Sequence, residues 1–307
     1  MSDPCKIQAY ASFDSASKSN THFMLTASPL TLNFGVEVSG IDLSPAPGQR
    51  TVAELLRLLD THGAVWLRGQ NLTPDSFLAF SRHLGELAAP PERLMAHANH
   101  PELTLLSNII EHGTAIGIAD SGSPWRMDGA HLKTPWRATA LYAAEVPEHA
   151  GTPLGDTWLA SSSAACDAMA PGLRDQLPGL RAVHIHGAGR KKRSTPFFPD
   201  SGLTQIFRKG VEHPVVRAHP VTGRKCLYVN RVSTSHLCGM NDSASDALLA
   251  QLYQHLDQPQ FHYRHQWQAG DVLLWDNCAT QHRAVTDYAW PQRRLLYRTL
   301  IKGLAAR

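Results

Sequence analysis

Alternating apolar and polar positions open the patterned part of the chain. Leu30, Leu32, Phe34, Val36 and Val38 alternate with Thr31, Asn33 and Glu37, which predicts a half-buried strand. The period then lengthens. Leu55, Leu56, Leu58 and Leu59 fall on one side of a helix, with Thr51 as its N-cap and Gly63 as its stop. Ala64–Arg68 predicts a short strand, and Thr73–Leu84 a second helix whose Pro74 suits a first turn. Leu103–Leu106 reads as strand. From Asn108 to Pro124, Gly, Ser and Ala dominate, and a loop that long inside a domain is usually functional or mobile. Ala138–Val146 predicts a strand, Ser163–Met169 a helix and Leu180–His186 a return to strand.

The last third is punctuated by turns. His213–Arg217 and Lys225–Val229 flank Pro220–Arg224 as a hairpin, and Ser243–Leu256 has the pattern of an amphipathic helix. Phe261–His265, Asp271–Trp275 and Leu295–Ile301 predict further strands, and no internal repeat is visible. Helices in front and antiparallel strands behind indicate an α+β or mainly β fold, or a barrel decorated by helices. Residues 1–28 are polar and Ser-rich and predict fraying, leaving 29–307 as the expected single domain.

Composition narrows the functional classes. A chain of 307 residues, 43% hydrophobic and 18% charged, matches an ordinary soluble globular protein with a sizeable core. No apolar run approaches the roughly 20 residues of a membrane span, and no secretory signal opens the chain, so the expected location is cytoplasmic. Five scattered cysteines without a CxxC pair suggest neither zinc nor a disulfide framework. A net charge of +3 is too small to imply nucleic acid. The dense basic run Arg190–Arg193 reads as a solvated loop, with a lid over an anionic ligand as the alternative.

Three features invite a chemical reading. One is Gly270–Asn277 followed by His282, an apolar strand running into a polar turn and a histidine. Another is Arg293, Arg294 and Arg298: positions 294 and 298 share a strand face, where two guanidiniums could clamp carboxylates. The third is Trp125-Arg126-Met127-Asp128 after the long loop. Each alone has a plain structural reading as a packed histidine, surface charges or a turn residue. Their joint order is the stronger signal.

That order resembles the taurine dioxygenase/2,4-D dioxygenase family over roughly residues 30–303. The matching stretches are THGAVWLRGQNLTPDSFLAFSRHLGEL, SNIIEHGTAIGIADSG, RATALYAAEVP, HPVVRAHPVTGRKCLYVN, WQAGDVLLWDNCATQHRAVTDY and RRLLYRTLIKG. The resemblance implies a double-stranded β-helix (jelly-roll) core flanked by helices. It also implies Fe(II) on two histidines and one carboxylate, with 2-oxoglutarate and O₂ as co-substrates. Asp128 matches the carboxylate ligand and His282 the distal histidine. Thr152, with one residue deleted in its turn, matches the threonine that helps hold the distal carboxylate of 2-oxoglutarate. Arg294 matches that carboxylate's salt-bridge partner, and Arg298 the second arginine, which faces the substrate anion or supports the co-substrate.

One position departs from the family pattern. Relatives carry Trp-His-x-Asp where this chain has Trp125-Arg126-Met127-Asp128. A guanidinium stays protonated and offers no lone pair to a metal. His131 could substitute only if a bulge or turn at Gly129 brought it to the face of Asp128, and His184 and His186 read as packing residues. The expectation is therefore an oxygenase of small organic acids. The alternative is a non-catalytic relative that binds 2-oxoglutarate or another anion through Thr152, Arg294, Arg298 and Arg126. A cupin-like metal enzyme fits the arginine pattern less well. Segments 108–124 and 187–212 are the expected substrate loops, and a homodimer or tetramer is the family habit.

Overall fold

The computed structural model describes residues 25–32, 34–89, 96–97, 99–119, 122, 124–187 and 210–303. The basic run Arg190–Arg193 lies outside them, as does nearly all of the expected loop 187–212. An eight-stranded sheet forms the spine of the molecule. Its strand order is Thr26–Pro29, Val36–Ser39, Ala64–Leu67, Val272–Asp276, Ala138–Glu145, Leu295–Ile301, His100–Ser107 and Ala96–His97. Neighbours are antiparallel except Val36–Ser39 against Ala64–Leu67, which run parallel.

Side-chain alternation assigns the two faces of this sheet. Val272 and Leu274 join Ala138, Ala140 and Tyr142 in a cluster with Leu55, Leu59, Phe77 and Phe80 of the helices Gln49–His62 and Pro74–Leu84. Leu273 and Trp275, one position out of phase, join Leu141, Ala143 and Leu296 on the opposite face, against Leu159 and Trp267. Successive strand residues point to opposite faces, so residues 272–275 are all apolar because both sides of the strand are covered. Facing the second cluster lies a three-stranded antiparallel sheet of His262–His265, Thr157–Ser161 and Thr280–Ala284. A third assembly packs the strands Val211–Pro214, Arg181–His184 and Thr234–Leu237 and the hairpin Val216–Ala218/Lys225–Leu227 near the helix Asp242–Leu256.

Local chemistry explains the helix ends. Thr73 caps Pro74–Leu84 by accepting from the Ser76 backbone N–H while the Ser76 hydroxyl oxygen accepts from the Thr73 N–H, a reciprocal capping box. The first helix begins two residues before the expected Thr51 cap, at Gln49. It ends where expected, at Gly63 in the left-handed region (φ 78°), and a Cβ there would come within 2.9 Å of the Phe34 ring.

The expected continuous strand over 30–38 is corrected. The chain turns between Leu30 and Gly35, with the Leu30 N–H donating to the Gly35 carbonyl, and Leu32 is 94% exposed. Gly35 (φ 74°) permits that reversal, which pairs Thr26–Pro29 with Val36–Ser39. The strand Thr26–Pro29 thus begins inside the segment expected to fray.

The connection from Val272–Asp276 to Thr280–Ala284 carries the chain from the large sheet to the small one. Asp276 fastens it: one carboxylate oxygen accepts from the N–H groups of Cys278 and Ala279 (2.7 and 2.9 Å). Its other oxygen accepts from His219 Nε2 at 3.0 Å. The His219 Nδ1 accepts from the N–H groups of Val221 and Thr222, which places the ring proton on the Asp276 side. Burial opposes protonation of His219, but the bond to Asp276 outweighs it and the pKa is raised. A raised folded-state pKa stabilises most fully below the ordinary histidine value of about 6.5 and is lost as pH rises through the folded value. His219→Asn should therefore lower the melting temperature most at pH 5–6 and progressively less above neutrality. A deficit independent of pH across thermal scans would contradict this.

Candidate active site

The chain approaches the site along the segment Trp125–Asp128, which alternates like a strand. Trp125 packs outward in a cluster with Ala164 and Phe261, and Met127 packs on Tyr228. Arg126 and Asp128 therefore share the opposite side and both line a pocket with His282. The Arg126 N–H donates to the His282 carbonyl (3.0 Å), and the His282 N–H donates to the Arg126 carbonyl (2.9 Å). In such a reciprocal antiparallel pair the two Cα atoms are about 5.5 Å apart and the side chains leave on one face. Residue 126 is thus placed beside His282, as a partner ligand would be. The guanidinium is held elsewhere, its Nη1 donating to the Gly122 carbonyl at 2.6 Å.

Asp128 and His282 meet directly. One carboxylate oxygen of Asp128 lies 3.7 Å from His282 Nε2, and the other accepts from the Thr139 hydroxyl at 2.8 Å. Burial pushes the Asp128 carboxyl upward, but His282, Arg298, Arg126 and the Thr139 hydroxyl together hold it below the ordinary value. Burial pushes His282 down to about 3, despite the attraction of Asp128, and Arg126 and Arg298 push in the same direction. The result at neutral pH is a carboxylate facing an uncharged imidazole.

The rest of the pocket is cationic and apolar. Its walls include Leu106, Leu141, Thr157, Trp275, Ala284, Arg294 and Arg298, around a cavity of about 20 Å³. Leu295–Ile301 alternates as expected, so Arg294, Leu296 and Arg298 face inward together. Arg294 is buried, donates from Nη2 to the Gly155 carbonyl (3.2 Å) and lies over the Tyr288 ring. Its Nη1, the Nε of Arg298 and the Nδ1 of His282 are buried without a hydrogen-bond partner among the described residues. Orphan donors converging on one pocket are what a bound anion would satisfy. A larger hollow of about 300 Å³, lined by Trp125, Arg231, His262 and Arg283, contains none of these groups.

The threonine assignment is corrected. Thr152 is exposed on the small hairpin Glu148–His149/Thr152–Pro153, outside the pocket, whereas Thr157 is buried in it. The Thr157 hydroxyl accepts from Trp267 Nε1 at 3.1 Å, which leaves its own proton to donate. The signal was the turn Leu154-Gly155-Asp156 before it, which starts the strand Thr157–Ser161.

Two donors fit a divalent cation; a third is not supplied. Ligand atoms about 2.0–2.2 Å from one ion lie no more than about 4.4 Å apart, and the 3.7 Å separation of the Asp128 and His282 atoms falls within that. Gly129 (φ 75°) does turn the chain after Asp128, but His131 ends against His186 and Trp136, with ring centroids 4.7 and 6.3 Å away. Burial beside His186 pushes His131 down to about 4. Among the described residues, no third His, Cys, Asp or Glu donor atom joins those of Asp128 and His282 within 4.8 Å. The group that does meet this spacing, Asp60, His219 and Asp276, is already committed to Arg137 and to backbone N–H groups.

A two-layered β fold thus brings a carboxylate–imidazole pair and two inward arginines to one pocket, as an oxygenase with an anionic co-substrate would require. Comparison with known proteins agrees. Residues 26–300 match the taurine catabolism dioxygenase TauD, TfdA family, and the chain belongs to that family. It is 31% identical to the alpha-ketoglutarate-dependent 2,4-dichlorophenoxyacetate dioxygenase of Cupriavidus pinatubonensis, across 84% of this chain and 91% of that one. A taurine dioxygenase from Burkholderia xenovorans is 30% identical and superposes with a TM-score of 0.75, covering 91% and 90% of the two chains. The structure of AAD-2 with Mn(II) and N-oxalylglycine is 25% identical with a TM-score of 0.76, covering 91% and 98%. Nothing in these similarities supports a non-catalytic alternative.

Two measurements test the site. Arg126→His should tighten Mn(II) binding by about tenfold or more, since a ligand replaces a repelling cation; unchanged affinity would show the pairing of residues 126 and 282 to be misassigned. Thr157→Val should weaken binding of 2-oxoglutarate in calorimetry, while Thr152→Val leaves it unaltered, and the reverse pattern would restore Thr152.

Proposed function

We propose that this pocket is the active site of an Fe(II)- and 2-oxoglutarate-dependent dioxygenase acting on a small organic acid. The observation that carries the reading is the ionised Asp128 facing the neutral His282 at 3.7 Å, beside Arg294 and Arg298 with unsatisfied N–H groups. Asp128 and His282 would hold the iron. When bound, iron supplies the O₂ chemistry that couples oxidative decarboxylation of 2-oxoglutarate, giving succinate and CO₂, to hydroxylation or oxidative cleavage of the substrate.

The chain's own groups supply position and electrostatics. Arg294 offers its free Nη1 to the distal carboxylate of 2-oxoglutarate, and Thr157 adds a hydroxyl donor. Arg298 and Arg126 line the same pocket and give it a positive field that favours an acidic substrate. Leu106, Leu141, Trp275 and Ala284 keep water from the reacting groups. The relatives named for 2,4-dichlorophenoxyacetate and taurine point the same way, to small molecules bearing one acidic group. In this reading the eight-stranded and three-stranded sheets are the two halves of a jelly roll, with the site between them. Among the described residues no helix is long and apolar enough to cross a membrane.

Anaerobic addition of Fe(II) and 2-oxoglutarate should produce a visible charge-transfer band, and admission of air should yield succinate. Absence of both would overturn the proposed activity.

A further inference from the structure

A chain of buried side chains runs behind Asp128. Trp275 Nε1 donates to Asn277 Oδ1 (3.0 Å), Asn277 Nδ2 donates to the Thr139 hydroxyl (3.0 Å), and that hydroxyl donates to Asp128 Oδ2 (2.8 Å). Trp275, Asn277 and Thr139 are at most 1% exposed. The direction of the chain is dictated by its first member, because an indole N–H can only donate. The Asn277 carbonyl must therefore face Trp275, which turns the amide nitrogen toward Thr139. With that nitrogen donating to its oxygen, Thr139 sends its single proton to Asp128 rather than to Asn277 Oδ1, which is more distant at 3.4 Å.

The sheet places these groups by register. Trp275 is the cross-strand partner of Thr139, and Asn277 follows Trp275 by two residues, so all three face the pocket side. A hydroxyl in the otherwise apolar row Leu141, Ala143 and Leu273 is costly to bury without partners. It is fully used here.

We infer that Trp275, Asn277 and Thr139 form a one-way hydrogen-bond relay that selects which oxygen of Asp128 is presented to the metal. The inference rests on the reading of Asp128 and His282 as metal donors. Thr139 occupies Oδ2, and Oδ1 is the oxygen turned to His282 Nε2. The same tryptophan also touches the second donor, since its ring lies 4.7 Å from the His282 ring at 40°. Trp275 thus fixes both: the imidazole through its ring face and the carboxylate through its N–H. In a site with two protein donors, a carboxylate free to rotate or to chelate through both oxygens would have little else to hold the ion in place. These three are positioning residues, acting through Asp128 and His282.

The test is Mn(II) affinity, read from the electron paramagnetic resonance signal of free Mn(II) in the presence of N-oxalylglycine. Partners of ligating carboxylates are typically worth about 10–100-fold in metal affinity. Thr139→Val should weaken binding within that range, and Thr139→Ser should restore it to within about threefold of the unaltered protein. Trp275→Phe keeps the ring and deletes the donor, and should weaken binding several-fold. Thermal midpoints of the metal-free proteins identify any variant that fails to fold, in which case the folded variants decide. Thr139→Val binding as tightly as the unaltered protein would overturn the relay, as would Thr139→Ser being as weak as Thr139→Val. An unaltered protein that binds no Mn(II) would overturn the metal reading itself, which is a distinguishable result.

Discussion

Two backbone hydrogen bonds between Arg126 and His282 hold the site together. They fasten the segment carrying Asp128 to the edge strand of the small sheet, and through it to the turn at Asp276. The side chains could not do this alone: at 3.7 Å the Asp128–His282 contact is too long for a normal hydrogen bond, and His282 is uncharged at neutral pH. Backbone pairing is indifferent to the side chain at 126. An arginine can therefore stand where the expected family pattern has a histidine while the geometry of Asp128 and His282 is kept.

The electrostatics of the pocket follow from that placement. Arg126, Arg294 and Arg298 face one carboxylate, Asp128, inside largely apolar walls. Like charges gathered in such walls repel one another, a cost that Asp156 and Asp287 ease at Arg294. A ligand bearing two carboxylates would relieve that cost, and binding would stabilise the fold in proportion to its occupancy. Burial is the main cause of the low pKa of His282, and Arg126 and Arg298 push it further the same way.

Much of this was legible in the amino-acid sequence, and the failures have a common cause. Strands buried by apolar contacts, such as Val272–Asp276, Ala138–Glu145 and Leu295–Ile301, announced themselves by hydropathy. The two strands that build the small sheet beside the site, Thr157–Ser161 and Thr280–Ala284, did not. Thr280, Gln281 and His282 are all buried, yet polar, because their partners are the Gly63 carbonyl, the Val229 carbonyl and the pocket. Where function sets the residue, pattern fails. The Thr152 assignment failed for the same reason, since nothing in alternation separates an exposed turn threonine from one buried five residues later. Leu30–Val38 misled in the opposite sense, an apolar alternation interrupted by a glycine-dependent turn that leaves Leu32 in solvent.

With Asp128 and His282 read as metal donors, Arg126 would tie the metal to the co-substrate. Two unit charges about 4 Å apart interact by roughly 4 kcal/mol at the effective dielectric near a protein surface, so a guanidinium on the pocket wall should discourage a dication entering alone. 2-Oxoglutarate brings two negative charges into the same space. With Arg294 and Arg298 holding one end, as proposed, the other would add negative charge beside Asp128 and offset Arg126. Each ligand then raises the affinity for the other by the same factor, because coupling between two binding equilibria is reciprocal. In a pocket with the usual histidine this coupling would lack the guanidinium's contribution. On the proposed reading, what looks in the sequence like a missing ligand would make metal binding conditional on the acid that shares its pocket.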